Sequence, residues 1–163
     1  MKHGEATSFI KPAITPNEVG NWADLGCGNG TFTKALAELL PAGSRITAVD
    51  RENQNWKIPA VDFLQADFET DNLHLTTLNG ILIANAIHYV ADKTSLIKKL
   101  EKMFKETPKF LIIEYDTDKP NPWVPYPVSF KKCKYCFRDW ATAGSIRSVK
   151  DHRLTVPVIC IVL

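Results

Sequence analysis

No apolar run in this 163-residue sequence approaches the roughly 20 residues that a membrane-crossing helix needs, so no membrane partner is expected. Charge of one sign is also lacking. Lysine and arginine number 20 against 18 acidic residues, a net of +2, which does not call for a nucleic-acid partner. Met1-Lys2-His3-Gly4-Glu5 is not a charged start followed by the apolar core of a secretory signal, and a cytoplasmic location is the expectation. Cysteine is scarce: Cys27, Cys133, Cys136 and Cys160. They include one C-x-x-C but no second ligand pair at zinc-site spacing, and His152 with Cys160 completes no known pattern. Cys133 and Cys136 stand i, i+3 in a segment of helical character where both can face a core, so no metal is expected. Internal repeats and low-complexity tracts are absent too, which excludes solenoid and linker architectures.

What is present fits one globular domain, 1–163: hydrophobic content of 45% supplies a core, and the length suits a single unit. The first 20 residues, punctuated by Pro12 and Pro16, read as an irregular arm with at most one helical turn. Asn21–Leu25 reads as a first strand, Arg45–Asp50 as a second and Phe63–Asp67 as a third. The continuous apolar run Gly80–Asn85 reads as a fourth, buried on both faces, and Lys109–Tyr115 as a fifth. Between them, Thr31–Leu40 carries Phe32, Ala35, Leu36, Leu39 and Leu40 at helical spacing and stops at Pro41-Ala42-Gly43. Asp92–Lys105 carries Leu96, Ile97, Leu100, Met103 and Phe104 likewise, with Asp92 or Thr94 as N-cap. Pro59 and the short span from Asp50 to Phe63 leave the second crossover helix abbreviated or absent. Alternating strands and helices imply an α/β, doubly wound, mostly parallel sheet. Residues 116–145 form an acceptor-side loop, with prolines at 120, 122, 125 and 127, followed by a helix over Ser129–Ala143. Ile146–Arg153 and Val156–Leu163 close the chain as an antiparallel hairpin, giving seven strands.

The strongest local signal is Asp24-Leu25-Gly26-Cys27-Gly28-Asn29-Gly30, between a strand and a helix. Glycines there permit a sharp turn and close approach of a ligand to backbone, and the helix that follows presents free N–H groups. Asp50 ends the second strand roughly 20 residues on, where a carboxylate can accept from both hydroxyls of a ribose diol. Asp67 ends the third strand beside Phe68. It is placed to accept from an exocyclic amine while the ring packs on a base. A nicotinamide-dependent oxidoreductase needs G-x-G-x-x-G, but the third glycine here comes one residue early and Thr31 stands at the required position.

This glycine turn resembles the first motif of class I S-adenosylmethionine-dependent methyltransferases. Asp50 in Thr47-Ala48-Val49-Asp50 is similar to that family's ribose-binding acid, and Ala66-Asp67-Phe68 to its adenine-contacting motif. Ile83–Val90 is similar to the segment after its fourth strand, Phe110–Tyr115 to its fifth strand, and the terminal runs to its sixth and seventh. The resemblance covers the chain from about Asn21 onward and implies a Rossmann-like fold with S-adenosyl-L-methionine as cofactor and S-adenosyl-L-homocysteine as product. It implies that Asp24, Gly26 and Gly28 hold the methionine portion, Asp50 the ribose, Asp67 and Phe68 the adenine, and that Asn85 lines the pocket near the sulfonium.

On the acceptor side the expected contacts are Tyr89, Tyr115, Trp123 and Tyr126, with Asp116 nearby and His88 as candidate general base. Tyr89 is also placed to face the sulfonium with its ring. No Asn/Asp-Pro-Pro-Tyr follows the fourth strand, which speaks against amino methylation of adenine, cytosine or glutamine by that route. Lys131, Lys132, Lys134 and Arg138 read as a solvated helical face. A small-molecule acceptor is the main expectation. Alternatives are a protein or RNA acceptor, or a non-catalytic S-adenosylmethionine-binding module completed by a partner; a homo-oligomer is left open. A deep acceptor pocket beside the methyl separates catalysis from mere binding.

Overall fold

A strand buried on both faces needs apolar side chains at every position, whichever way each points. In the computed structural model, which describes residues 3–129, 147–150 and 158–162, five strands build a parallel sheet whose central members are buried in this way, while the edge strand is half exposed. These are β1 (Asn21–Leu25), β2 (Arg45–Asp50), β3 (Val61–Gln65), β4 (Gly80–Ala84) and β5 (Phe110–Tyr115), in the order β3-β2-β1-β4-β5. The order reverses between β1 and β4, so a crevice opens beyond their carboxyl ends, where open α/β sheets bind ligands. Backbone pairing continues the sheet with β6 (Arg147–Lys150) and β7 (Val158–Val162), β7 antiparallel to both β5 and β6. Residues 151–157 lie outside the described set, so the hairpin stays an expectation and the fold rests on the five parallel strands.

The pleat sorts side chains onto two cores. Ala23, Leu25, Ile81, Ile83, Phe110 and Ile112 face one side, where α3 (Lys93–Glu101) covers them with Leu96, Ile97 and Leu100. Trp22, Leu82, Leu111 and Ile113 face the other, under α2 (Thr31–Leu39) with Phe32, Ala35 and Leu36. Helices thus flank both faces of the sheet, as right-handed crossovers require. Asp92 caps α3 by accepting from the Ser95 amide (3.0 Å) and hydroxyl (2.7 Å), bonds that hold its carboxyl below the usual carboxylate range.

The arm before β1 differs from expectation. Residues His3–Ile10 form α1 and Lys11–Ala13 a 3₁₀ turn. Ala6, Phe9 and Ile10 sit at i, i+3, i+4, and all three are buried against α2. Pro12 falls at the start of the 3₁₀ turn, where a missing N–H costs nothing. Between β2 and β3 there is no helix, as the short span and Pro59 imply. The third strand runs Val61–Gln65 rather than Phe63–Asp67, which leaves Asp67 two residues beyond it. All but the first residue of the helix expected over Ser129–Ala143, the C-x-x-C and the basic cluster of Lys131 to Arg138 lie outside the described residues. Among the described residues no metal-ligand cluster occurs, and no helix is long and apolar enough to cross a membrane.

Candidate active site

At the end of β1 the chain must turn sharply, and three glycines adopt left-handed backbone: Gly26 (φ +74), Gly28 (φ +49) and Gly30 (φ +76). The N–H groups of Gly26 and Cys27 both donate to Val49 O on β2, which anchors the turn to the sheet. Each glycine answers a different demand. A Cβ on Gly26 would sit 2.5 Å from Ala86 Cβ, and one on Gly30 would sit 2.9 Å from the Trp56 ring. A Cβ on Gly28 would meet nothing within 4 Å, because it would enter an open cleft.

That cleft encloses about 430 Å³ and is lined by Gly26, Gly28, Asp50, Glu52, Gln54, Asp67, Phe68, Asn85, Ala86 and Tyr89, among others. Asp50 stands at its edge. One carboxylate oxygen accepts from the Gly28 amide (2.8 Å) and the other from the Glu52 amide (2.9 Å). Each oxygen has a second lone pair, so a diol can still be accommodated. Asp67, Phe68 and Asn85 also line this wall. Asp24 does not. It is buried behind the turn, where one carboxylate oxygen accepts from Thr33 Oγ1 (2.6 Å) and the other has no partner. Burial pushes its carboxyl up to about 7 from an ordinary 3.8; the Thr33 hydroxyl pulls it down, and the Asp50 charge pushes it up again. Burial also pushes the Cys27 thiol up, so Cys27 carries no reactive thiolate.

Gly26→Ala tests the turn. Left-handed backbone costs a non-glycine residue about 1–2 kcal/mol, and the overlap with Ala86 about 1–3 kcal/mol more. The expected outcome is a lower melting temperature together with weakened ligand binding in the cleft. An unshifted melt would mean that the turn is softer than its φ values imply.

A second cavity, about 560 Å³, adjoins the first; both are lined by Asn85 and Tyr89. Asn85 (φ +52) turns the chain off β4, a left-handed position that Asn tolerates better than most residues. Its side-chain Oδ1 is buried without a partner. The 3₁₀ turn Ile87–Tyr89 follows and drives Ile87 into the core. His88 is 2% exposed and Glu114 1%. His88 Nδ1 lies 3.0 and 2.9 Å from the two carboxylate oxygens of Glu114, which also accept from the amides of His88 (3.3 Å) and Tyr115 (3.2 Å). A carboxylate on Nδ1 fixes the tautomer with hydrogen there and leaves Nε2 as the nitrogen with a lone pair. The remaining wall is Tyr89, Tyr115, Asp116, Thr117, Asn121, Trp123 and Val124. Trp123 is 79% exposed at the rim, and the Tyr89 ring stands 4.3 Å from that of His88.

Tyr126 falls outside this cavity, in a neighbouring groove with Asp92, Lys93 and Asp118. Its backbone rather than its ring serves the site. The Tyr126 amide donates to His88 O (3.0 Å), and Lys93 Nζ donates to Tyr126 O (2.8 Å) and Val90 O (2.8 Å). The proline-rich loop is thereby fastened to the turn that carries His88.

Two residues of the site went unread in the sequence. Glu114 was legible only as a charged residue inside an apolar strand, and its i+2 alternation with Phe110 and Ile112 puts it on the His88 face. Trp56 stands alone in a polar segment, replaces the missing crossover helix, and donates from Nε1 to Gly28 O (2.9 Å) while its ring covers Gly30.

Residues 20–154 match the family model described as "Methyltransferase domain". No curated protein matches the chain. Among solved structures, the chain resembles a SAM-dependent methyltransferase from Aquifex aeolicus at 17% identity and TM-score 0.72, covering 97% of this chain and 89% of that one. It also resembles the plantazolicin methyltransferase BpumL, solved in complex with SAH, at 11% identity and TM-score 0.68, covering 98% and 82%. At these identities the solved structures speak for the fold alone.

Proposed function

Since the chain belongs to the methyltransferase-domain family, we propose that it transfers the methyl group of S-adenosylmethionine to a small acceptor whose nucleophilic atom must lose a proton, an aromatic hydroxyl compound. The observation that carries this reading is the buried His88–Glu114 pair in the wall of a cavity that shares Asn85 and Tyr89 with the glycine-turn cleft.

The residues present fit the cofactor. Gly28 leaves open space where any other side chain would intrude, and Asp50 offers a carboxylate beside it. Gly26 and Gly28 would border the methionine portion, Asp50 the ribose, and Asp67 and Phe68 the adenine. Asp24 supports the turn from behind rather than lining the cleft. When bound, the cofactor supplies a methyl carbon activated by its sulfonium leaving group.

The chain's own work is alignment and proton transfer. Asn85 and Tyr89 stand at the junction, so an acceptor atom in the second cavity can face the first. Alignment of this kind lowers a barrier by several kcal/mol. His88 Nε2 takes the acceptor proton as the new bond to carbon forms, and Glu114 holds the ring in orientation and stabilises the imidazolium. Tyr89, Tyr115 and Trp123 offer flat faces suited to an aromatic ring. A second cavity of about 560 Å³ beside the cleft, with His88 in its wall, favours catalysis over a module that only binds the cofactor.

Calorimetry tests the cofactor half. Wild-type protein is expected to bind S-adenosylhomocysteine in the micromolar range, about −8 kcal/mol, and Asp50→Ala to lose most of that. A folded wild-type protein that binds neither it nor S-adenosylmethionine would sink the proposal. For the acceptor half, a panel of phenols, amines and thiols is incubated with methyl-labelled cofactor. Turnover confined to amines or thiols would overturn the hydroxyl assignment.

A further inference from the structure

Residues 67–71 form one isolated helical turn past the end of β3. The Asp71 amide donates to Asp67 O (2.9 Å), the Asp67 amide to the Asp71 carboxylate (2.9 Å), and the Glu69 amide to Asp67 Oδ1 (2.8 Å). A lone turn fixes several dihedrals for a single helical bond, which is unfavourable by itself. It also ends in carbonyls that no following turn can satisfy. Three of these, from Phe68, Glu69 and Asp71, converge on one ammonium, Lys99 Nζ, at 3.1, 3.0 and 2.7 Å. An ammonium has three donors, and here each has a carbonyl. Lys99 projects from α3, whose Leu96, Ile97 and Leu100 are locked in the core. The cation is therefore held on a rigid element while the turn it caps is not intrinsically stable.

The capped turn carries two residues of the cofactor cleft. Asp67 and Phe68 both line it, and a Phe68 ring atom lies 3.3 Å from the point where a Cβ on Gly26 would sit. We propose that Lys99 is a positioning residue for the cofactor's base, acting through the turn 67–71 to set the places of Asp67 and Phe68. The proposal rests on the assignment of the glycine-turn cleft to S-adenosylmethionine. Lys99 itself lies outside the cleft wall. The neighbouring Lys98 is exposed on the same helix and serves as a control for loss of a charge alone.

The test compares two ligands that differ only at the base: S-adenosylhomocysteine and S-inosylhomocysteine, which bears a 6-oxo group in place of the 6-amino group that Asp67 would accept from. Calorimetry on the full chain is run for wild type, Lys99→Met and Lys98→Met, with thermal melts beside it. Lys99→Met is expected to bind S-adenosylhomocysteine at least about tenfold more weakly, with the wild-type preference for the amino ligand reduced, while Lys98→Met matches wild type. Unchanged affinities in Lys99→Met would overturn the proposal alone. So would an equal loss for both ligands, which a merely structural role produces. A folded wild-type protein that binds neither ligand would instead remove the cleft assignment, and the proposal with it.

Discussion

His88→Ala is expected to lower the methyl-transfer rate on a hydroxyl acceptor by about 10²- to 10⁴-fold, the usual contribution of a positioned general base. Cofactor affinity should change little, because His88 lines the second cavity and not the glycine-turn cleft. The loss falls on kcat rather than on cofactor binding, and steady-state kinetics beside calorimetry separate the two. Glu114→Gln keeps the size of the side chain but removes the charge that stabilises the imidazolium, so it is expected to share most of the effect. If both variants retain full rate with saturated cofactor, the pair is a buried hydrogen bond with no part in proton transfer. The acceptor would then be one that needs no base.

The second large effect is a pH dependence of stability centred on Asp24. Its carboxyl is pushed up to about 7 in the folded chain from 3.8, mainly by burial. Between those values the folded state binds a proton that the unfolded state has lost. Stability therefore falls as pH rises from about 4 to about 7 and then levels off. At about 1.4 kcal/mol per pH unit, a shift of about three units sets a ceiling of about 4 kcal/mol. Asp24→Asn removes the titration while keeping an acceptor for the Thr33 hydroxyl. It is expected to match wild type near pH 4 and to exceed it above pH 7 in denaturant melts without ligand. A wild-type minus variant difference that does not vary with pH would show that Asp24 stays charged in its pocket.

Much of the scaffold was legible in local pattern. β1 and β2 begin and end where their apolar and β-branched runs do, and α2 follows the spacing of Phe32, Ala35 and Leu36. The arm before β1 was misread because Thr7, Ser8 and two prolines mask a short i, i+3, i+4 stripe, whose burial against α2 overrides weak propensity. On the acceptor side, Trp123 and Tyr115 line the second cavity. Tyr126 does not: its backbone N–H donates to His88 O, its carbonyl accepts from Lys93 Nζ, and the residue lies in the neighbouring groove.

The sequence by itself determined the alternation of strands and helices, the glycine turn, and the acids Asp50 and Asp67 at or just past strand ends. Each of these is a local matter: spacing of apolar residues, tolerance of left-handed backbone, an acid at a chain turn. Only the tertiary structure decided that Glu114 meets His88 across 26 residues, that Trp56 covers Gly30, and that Lys99 caps the turn 67–71. Parallel register and right-handed crossovers choose which strand ends share a crevice, and no periodicity within one segment carries that information.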